Sequence, residues 1–306
     1  MKRRDFINTA VIAAPFIASN AAATGSTLIS NMTQEPAFKM KFAPHLGMFK
    51  HLSGDDPIDQ LHFMADQGFT AFEDNGMPQR DIALQEKMAS VMANRGIEMG
   101  VFVAHKIYWQ EPTLAKGDDS SRSEFLDHIK RSVDVAKRVN AKWMTVVPGH
   151  VDLRQDMGYQ TAHVIESLKR AADILAPHDL TVVLEPLNFR DHPGLFLTKI
   201  AQAYKICKAV DSPACKILFD IYHQQIQEGN IIPNINLAYD EIAYFQIGDN
   251  PGRKEPTTGE INYKNVFQHI HDKGFSGVLG MEHGNFFDGA AGEEKLIAAY
   301  RSVDVD

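Results

Sequence analysis

Across residues 41–306 a short apolar run, a polar or glycine-bearing turn and a longer amphipathic stretch follow one another eight times, and few folds accept that repetition. The apolar runs are 42–46, 69–72, 97–104, 143–147, 180–185, 216–220, 242–247 and 277–282. Helical spacing fills 58–67, 84–94, 124–139, 159–176, 200–210, 266–273 and 293–303, and Gly68, Gly96 and Gly274 stop three of these stretches. A helical or irregular stretch through Asn234 joins the sixth run to the seventh. The run 180–185 is rich in β-branched residues, as in a strand covered on both faces. Eight strand-then-helix units predict an α/β chain with a single closed (β/α)8 TIM barrel, because no strand is left to form an edge. The 306 residues suffice, since such barrels commonly take about 250. An open dinucleotide-binding sheet would carry a glycine-rich phosphate loop after its first strand, and Gly47-Met48-Phe49-Lys50-His51-Leu52-Ser53-Gly54 is not one.

Residues 1–23 stand apart from this pattern. Lys2-Arg3-Arg4-Asp5-Phe6-Ile7-Asn8 is a twin-arginine signature, followed by an apolar run over 9–18 and the small residues Ala21-Ala22-Ala23. We expect an export signal handled by the twin-arginine machinery and a periplasmic protein. The apolar run is well short of the roughly 20 residues of a span, so no stable membrane insertion is expected. Export of folded protein suits a chain that takes up a metal in the cytoplasm. Residues 24–40 read as a flexible lead-in and 41–306 as the barrel. The net charge of −8 argues against a nucleic-acid partner. The two cysteines, Cys207 and Cys215, cannot build a cysteine metal site; a disulfide between them is open to them, and two buried thiols are the expectation. A homo-oligomer is compatible with this composition.

Four runs end in oxygen-bearing side chains: Glu185, Asp220, Gln246 and Glu282. In a parallel barrel the C-terminal strand ends meet at one mouth, so the four should face a common point. Three carboxylates brought together repel one another unless a cation lies between them. An all-oxygen ligand set, completed by the Gln246 carbonyl, favours Mg²⁺ or Mn²⁺ over Zn²⁺. His223 follows Asp220 by three residues and lies in the loop above this cluster. Arg253, beyond the turn Asn250-Pro251-Gly252, can hold a carboxylate or hydroxyl through its planar fork. His105, Trp109 and His150 also fall near the mouth, with no role assigned by their spacing.

The segments Val183-Leu184-Glu185-Pro186-Leu187-Asn188, Leu218-Phe219-Asp220-Ile221-Tyr222-His223, 245–253, 259–263 and Gly280-Met281-Glu282-His283 resemble the hydroxypyruvate isomerase family. That family belongs to the xylose-isomerase-like barrels, together with the ketose 3-epimerases. The resemblance runs over residues 40–300 and is most specific in the second half. It implies Glu185, Asp220, Gln246 and Glu282 as metal ligands, Glu185 and Glu282 as the acid–base pair, and His223 and Arg253 as substrate contacts. The epimerases usually carry His where this chain has Gln246, which is closer to the isomerases.

The activity implied is isomerisation of a small α-hydroxycarbonyl compound through an enediolate, hydroxypyruvate to tartronate semialdehyde above all. A ketose 3-epimerase or other sugar isomerase uses the same apparatus. An exported, non-catalytic sugar-binding barrel would not need both glutamates. An abasic-site endonuclease would need a His-rich multi-zinc site and a basic face.

Overall fold

The computed structural model describes residues 35–305. The expected signal segment, residues 1–23, lies outside them. Of the expected lead-in only 35–40 is described, and it is packed in place. Glu35 N donates to Asp66 O at 2.9 Å and Phe38 N to Gly68 O at 3.0 Å. The Phe38 ring lies 4.6 Å from Phe69, with the Arg301 guanidinium 3.7 Å from its centre. Phe38 and Met40 are buried, so this stretch shares in the apolar core.

Among the described residues eight strands and ten α-helices follow. The strands are β1 (Lys41–Ala43), β2 (Ala71–Phe72), β3 (Glu98–Met99), β4 (Trp143–Val146), β5 (Thr181–Leu184), β6 (Cys215–Asp220), β7 (Ile242–Gln246) and β8 (Val278–Gly280). The helices are α1 (Lys50–Ser53), α2 (Pro57–Asp66), α3 (Ile82–Arg95), α4 (Asp119–Val139), α5 (Met157–Leu175), α6 (Ile200–Val210), α7 (Ile221–Gln227), α8 (Ile231–Ala238), α9 (Tyr263–Asp272) and α10 (Gly289–Val303).

All the pairings within the two sheets are parallel. One sheet runs β1-β8-β7-β6-β5-β4 and the other joins β2 to β3. Glu73 N donates to Pro44 O at 3.0 Å beyond β2, and Ala104 N to Thr145 O at 3.0 Å beyond β3. These bonds link the two sheets into a TIM-barrel-like ring. Several strands are shorter than the apolar runs that announced them, because the residues after them turn aside into loops while staying buried. Glu185 and Glu282 consequently lie one and two residues past their strands.

Ala43, Val101, Val183, Leu218 and Tyr244 belong to a small buried cluster inside the ring, while the alternate residues pack outward against the helices. Helix α4 begins at Asp119, capped by Asp118, whose side chain accepts from Ser121 N at 2.9 Å. Helix α7 starts directly at the end of β6, with Asp220 as its cap. No helix among the described residues is long and apolar enough to cross a membrane. Cys207 and Cys215 are both buried free thiols.

Candidate active site

The end of β6 sets the centre of the rim. Asp220 closes the strand and caps α7 at once: its Oδ1 accepts from His223 N at 3.1 Å. That cap aims the Asp220 carboxylate along the strand axis and holds His223 one turn above it. Asp220 pairs in register with Gln246, the last residue of β7, and Gln246 pairs with Gly280 of β8. On the other side of β6, Glu185 extends β5 by one residue, its N donating to Val146 O at 3.3 Å.

The six residues singled out in the sequence meet here. Arg253 reaches in from the loop after β7, where its own φ of 48° belongs to the left-handed region. Its Nη2 is 3.3 Å from Asp220 Oδ2 and 3.2 Å from Glu282 Oε2, and its Nε donates to Glu282 O at 3.1 Å. The guanidinium lies 5.0 Å from the centre of the Tyr222 ring. His223 Nε2 is 3.7 Å from Asp220 Oδ2 and 4.0 Å from Glu185 Oε1. The Arg253 loop is itself tied down by Asp249, which accepts from Gly259 N at 2.8 Å and Ile261 N at 3.1 Å. A Cβ at Gly259 would lie 2.2 Å from Asn250 O, so only glycine lets the loop close this tightly.

The electrostatics are those of carboxylates crowded out of water. Burial and the neighbouring charges of Glu282 and Asp220 push the Glu185 carboxyl well above the ordinary range. Burial also raises Glu282 to about 7, against the opposing pull of Arg253. Burial lowers His223 to about 4, more than the Asp220 charge restores, so its ring is neutral at physiological pH. Burial alone would lower Arg253, but Glu282, Asp220 and Glu185 together raise it further.

One carboxylate of this rim was not singled out. Glu73, just past β2, is buried beneath the cluster, accepting from Tyr244 OH at 2.7 Å and from Gln246 Nε2 at 3.0 Å. Burial and the Glu282 charge push it up to about 8. By taking the amide N–H, Glu73 turns Gln246 Oε1 the other way, and that oxygen is buried with no hydrogen-bond partner. Its sequence signal is the one shared by the other four, an oxygen-bearing side chain ending an apolar run. Asn75 adds a bond from its Nδ2 to Glu282 Oε1 at 3.2 Å.

The other mouth residues separate. His105 is held by Val147 N at 3.3 Å and packs edge-on against Phe125, which makes it part of the wall. Trp109 stacks on His192 at 5.0 Å, and His192 lies 5.4 Å from His223, so Trp109 roofs the site. His150 bonds to its neighbour's carbonyl, Val151 O, at 2.9 Å.

A divalent cation fits what these residues offer. Gln246 Oε1 is a buried oxygen without a partner, and Asp220 and Glu282 at the same rim share the Arg253 guanidinium. Among the described residues, Glu185, Asp220 and His223 form a group whose potential ligand atoms all lie within 4.8 Å of one another.

Comparison with known proteins agrees with the fold and narrows the chemistry. The family described as the xylose isomerase-like TIM barrel matches residues 61–301. The hydroxypyruvate isomerase of Escherichia coli (strain K12) is 34% identical over 160 residues, which are 52% of this chain and 62% of that enzyme. The 2-oxo-tetronate isomerase of Cupriavidus necator is 33% identical over 227 residues, 74% of this chain and 86% of the relative. Among solved structures, an AP endonuclease of family 2 from Brucella melitensis superposes with a TM-score of 0.72 at 24% identity, covering 83% of this chain and 96% of its own. The 3-keto-D-glucoside 4-epimerase of E. coli gives the same score of 0.72 at 18% identity, covering 86% and 100%.

Proposed function

The chain belongs to the xylose isomerase-like TIM barrel family, and we propose that it is a metal-dependent isomerase of small 3-hydroxy-2-oxo acids, hydroxypyruvate foremost. The observation that carries this reading is the pair of glutamates, Glu185 and Glu282, held at opposite sides of Asp220 and Arg253 with both carboxyls pushed upward. Two of this chain's relatives, the hydroxypyruvate isomerase and the 2-oxo-tetronate isomerase, are named for 2-oxo acids.

Isomerisation moves a proton between adjacent carbons, which needs a group that accepts it from one and a group that returns it to the other. Burial raises the Glu282 carboxyl in the metal-free protein, and its place at the rim beside Arg253 suits a group that exchanges a proton with substrate. Glu185, raised by burial and by the Glu282 and Asp220 charges, is the second carboxyl of the pair. His223 Nε2 faces the same space with no hydrogen-bond partner of its own, and suits the oxygen on which charge grows. Arg253 supplies the planar fork that a 2-oxo acid's carboxylate would meet. Glu185, Asp220, Gln246 and Glu282 would hold Mg²⁺ or Mn²⁺, which supplies polarisation of the substrate's adjacent oxygens. Trp109, stacked on His192 beside His223, stands at the entrance of the site.

The test is turnover of hydroxypyruvate, a four-carbon 2-oxo acid and a ketose, each with and without added Mn²⁺. Mn²⁺-stimulated isomerisation of a 2-oxo acid is expected. Activity confined to C3 of the ketose would replace this substrate assignment with an epimerase.

A further inference from the structure

The orientation of His223 follows from a residue 35 positions earlier in the chain. Asn188, in the loop after β5, is buried, and its amide can be oriented without ambiguity. Its Oδ1 accepts from Arg190 N at 3.0 Å and from Asp191 N at 2.9 Å, two groups that only donate. Its Nδ2 therefore points the other way, donating to Asp191 Oδ2 at 2.9 Å and to His223 Nδ1 at 2.7 Å. The Asn188 backbone N also points at His223 Nδ1, at 3.3 Å. Asp191 is in turn braced by Tyr222 OH at 2.9 Å.

Two N–H donors facing one ring nitrogen leave it only the role of acceptor. The proton of the neutral imidazole then sits on Nε2, the atom that is buried, without a hydrogen-bond partner, and directed toward Asp220 and Glu185. A nitrogen that carries a proton has no lone pair for a cation. Although His223 Nε2 lies within ligand range of both carboxylates, it is available to a substrate oxygen and closed to a metal.

We propose that Asn188 is a positioning residue that fixes His223 as an Nε2 hydrogen-bond donor to substrate and keeps it out of the metal's ligand set. The substrate half of this statement rests on the isomerase reading. The tautomer and the ligand set do not.

The experiment compares the native protein with a double variant, Asn188→Asp with Asp191→Asn, which exchanges donor for acceptor beside Nδ1 at constant net charge. Histidine ¹⁵N chemical shifts, with the His223 signals identified by their loss in His223→Gln, report which ring nitrogen holds the proton. Calorimetry with Zn²⁺ alone reports the ligand set. In the native protein the proton is expected on Nε2, and His223 should not become a ligand when Zn²⁺ is added. In the double variant the proton should move to Nδ1, freeing an Nε2 lone pair beside Glu185 and Asp220. Zn²⁺ should then bind about 10-fold or more tightly, within the 10–100-fold range that groups behind metal ligands command. Turnover should fall about 10²-fold, as on loss of one oxyanion donor. A native His223 protonated on Nδ1, or ligating Zn²⁺ through Nε2, would overturn the proposal, and this half of the experiment stands even if the double variant does not fold. An unchanged tautomer and zinc affinity in a folded double variant would overturn it equally. A native protein inactive on every 2-oxo acid but with the expected spectra would instead count against the substrate assignment alone.

Discussion

At the residue scale the site divides into side chains whose position follows from their own strand and side chains whose setting is made elsewhere. Glu185, Asp220, Gln246 and Glu282 were legible as a group because each ends an apolar run, and parallel strands bring such ends to one rim. The setting of His223 was not legible, because it depends on an Asn188 amide whose direction is decided by the backbone of Arg190 and Asp191. Glu73 was passed over although it too ends an apolar run, since nothing local shows that Gln246 and Tyr244 will pair with it. The glutamate pair gives the residue-scale prediction. Glu185→Gln and Glu282→Gln each keep an oxygen but remove the carboxylate, so each should lower turnover by at least about 10²-fold, the lower end for general acid–base catalysis. Mn²⁺ binding, followed by calorimetry, should weaken far less than turnover in both. Near-native rates in both variants would leave the glutamates with no part in proton transfer.

At the scale of elements, the order and number of strands were readable, and their lengths were not. β2 and β3 are two residues each because the loops that follow them bend inward to complete the ring through Glu73 N and Ala104 N. The stretch after the sixth run left helix and irregular chain both open, because the seven residues of α7 are too few to display a period, and what starts α7 is the Asp220 cap. β8 illustrates how an element serves the site without reaching it. A Cβ on Gly280 would come within 1.8 Å of Glu73 Oε2, so glycine there makes room for the carboxylate that orients Gln246. Gly280→Ala must displace Glu73 or part β8 from β7. Overpacking of this kind costs roughly 1–3 kcal/mol, and a thermal melt should show it as a lowered Tm. Calorimetry should show weakened Mn²⁺ binding as well, whereas a melt and a metal affinity unchanged from native would mean that Glu73 has no hold on Gln246.

For the whole molecule, the site's charges set how stability responds to pH. The carboxyls of Glu73 (about 8), Glu282 (about 7) and Glu185 are all raised from 4.5, chiefly by burial. Groups raised in the folded state stabilise it below their unfolded pKa, and that contribution is lost as the pH climbs through the folded values. His105 and His223 (about 4) and His283 (about 3), lowered from 6.5 by burial, act in the opposite sense and change only below 6.5. Between pH 6.5 and 8 the carboxylates therefore outweigh the histidines. Metal-free protein should lose stability across this window, each kcal/mol appearing as about 2–4 °C in Tm, and saturating Mn²⁺ should flatten the decline. A metal-free Tm that holds or rises from pH 6.5 to 8 would contradict this charge balance.

The central claim, that Glu185 and Glu282 pass a proton between adjacent carbons of a 3-hydroxy-2-oxo acid, is tested most directly by running the isomerisation of hydroxypyruvate in D₂O and reading the product by NMR. A carboxyl exchanges its proton with solvent, so deuterium should appear on the carbon that gains hydrogen. Product formed at full rate with no deuterium on that carbon would mean direct hydride transfer and would contradict the account.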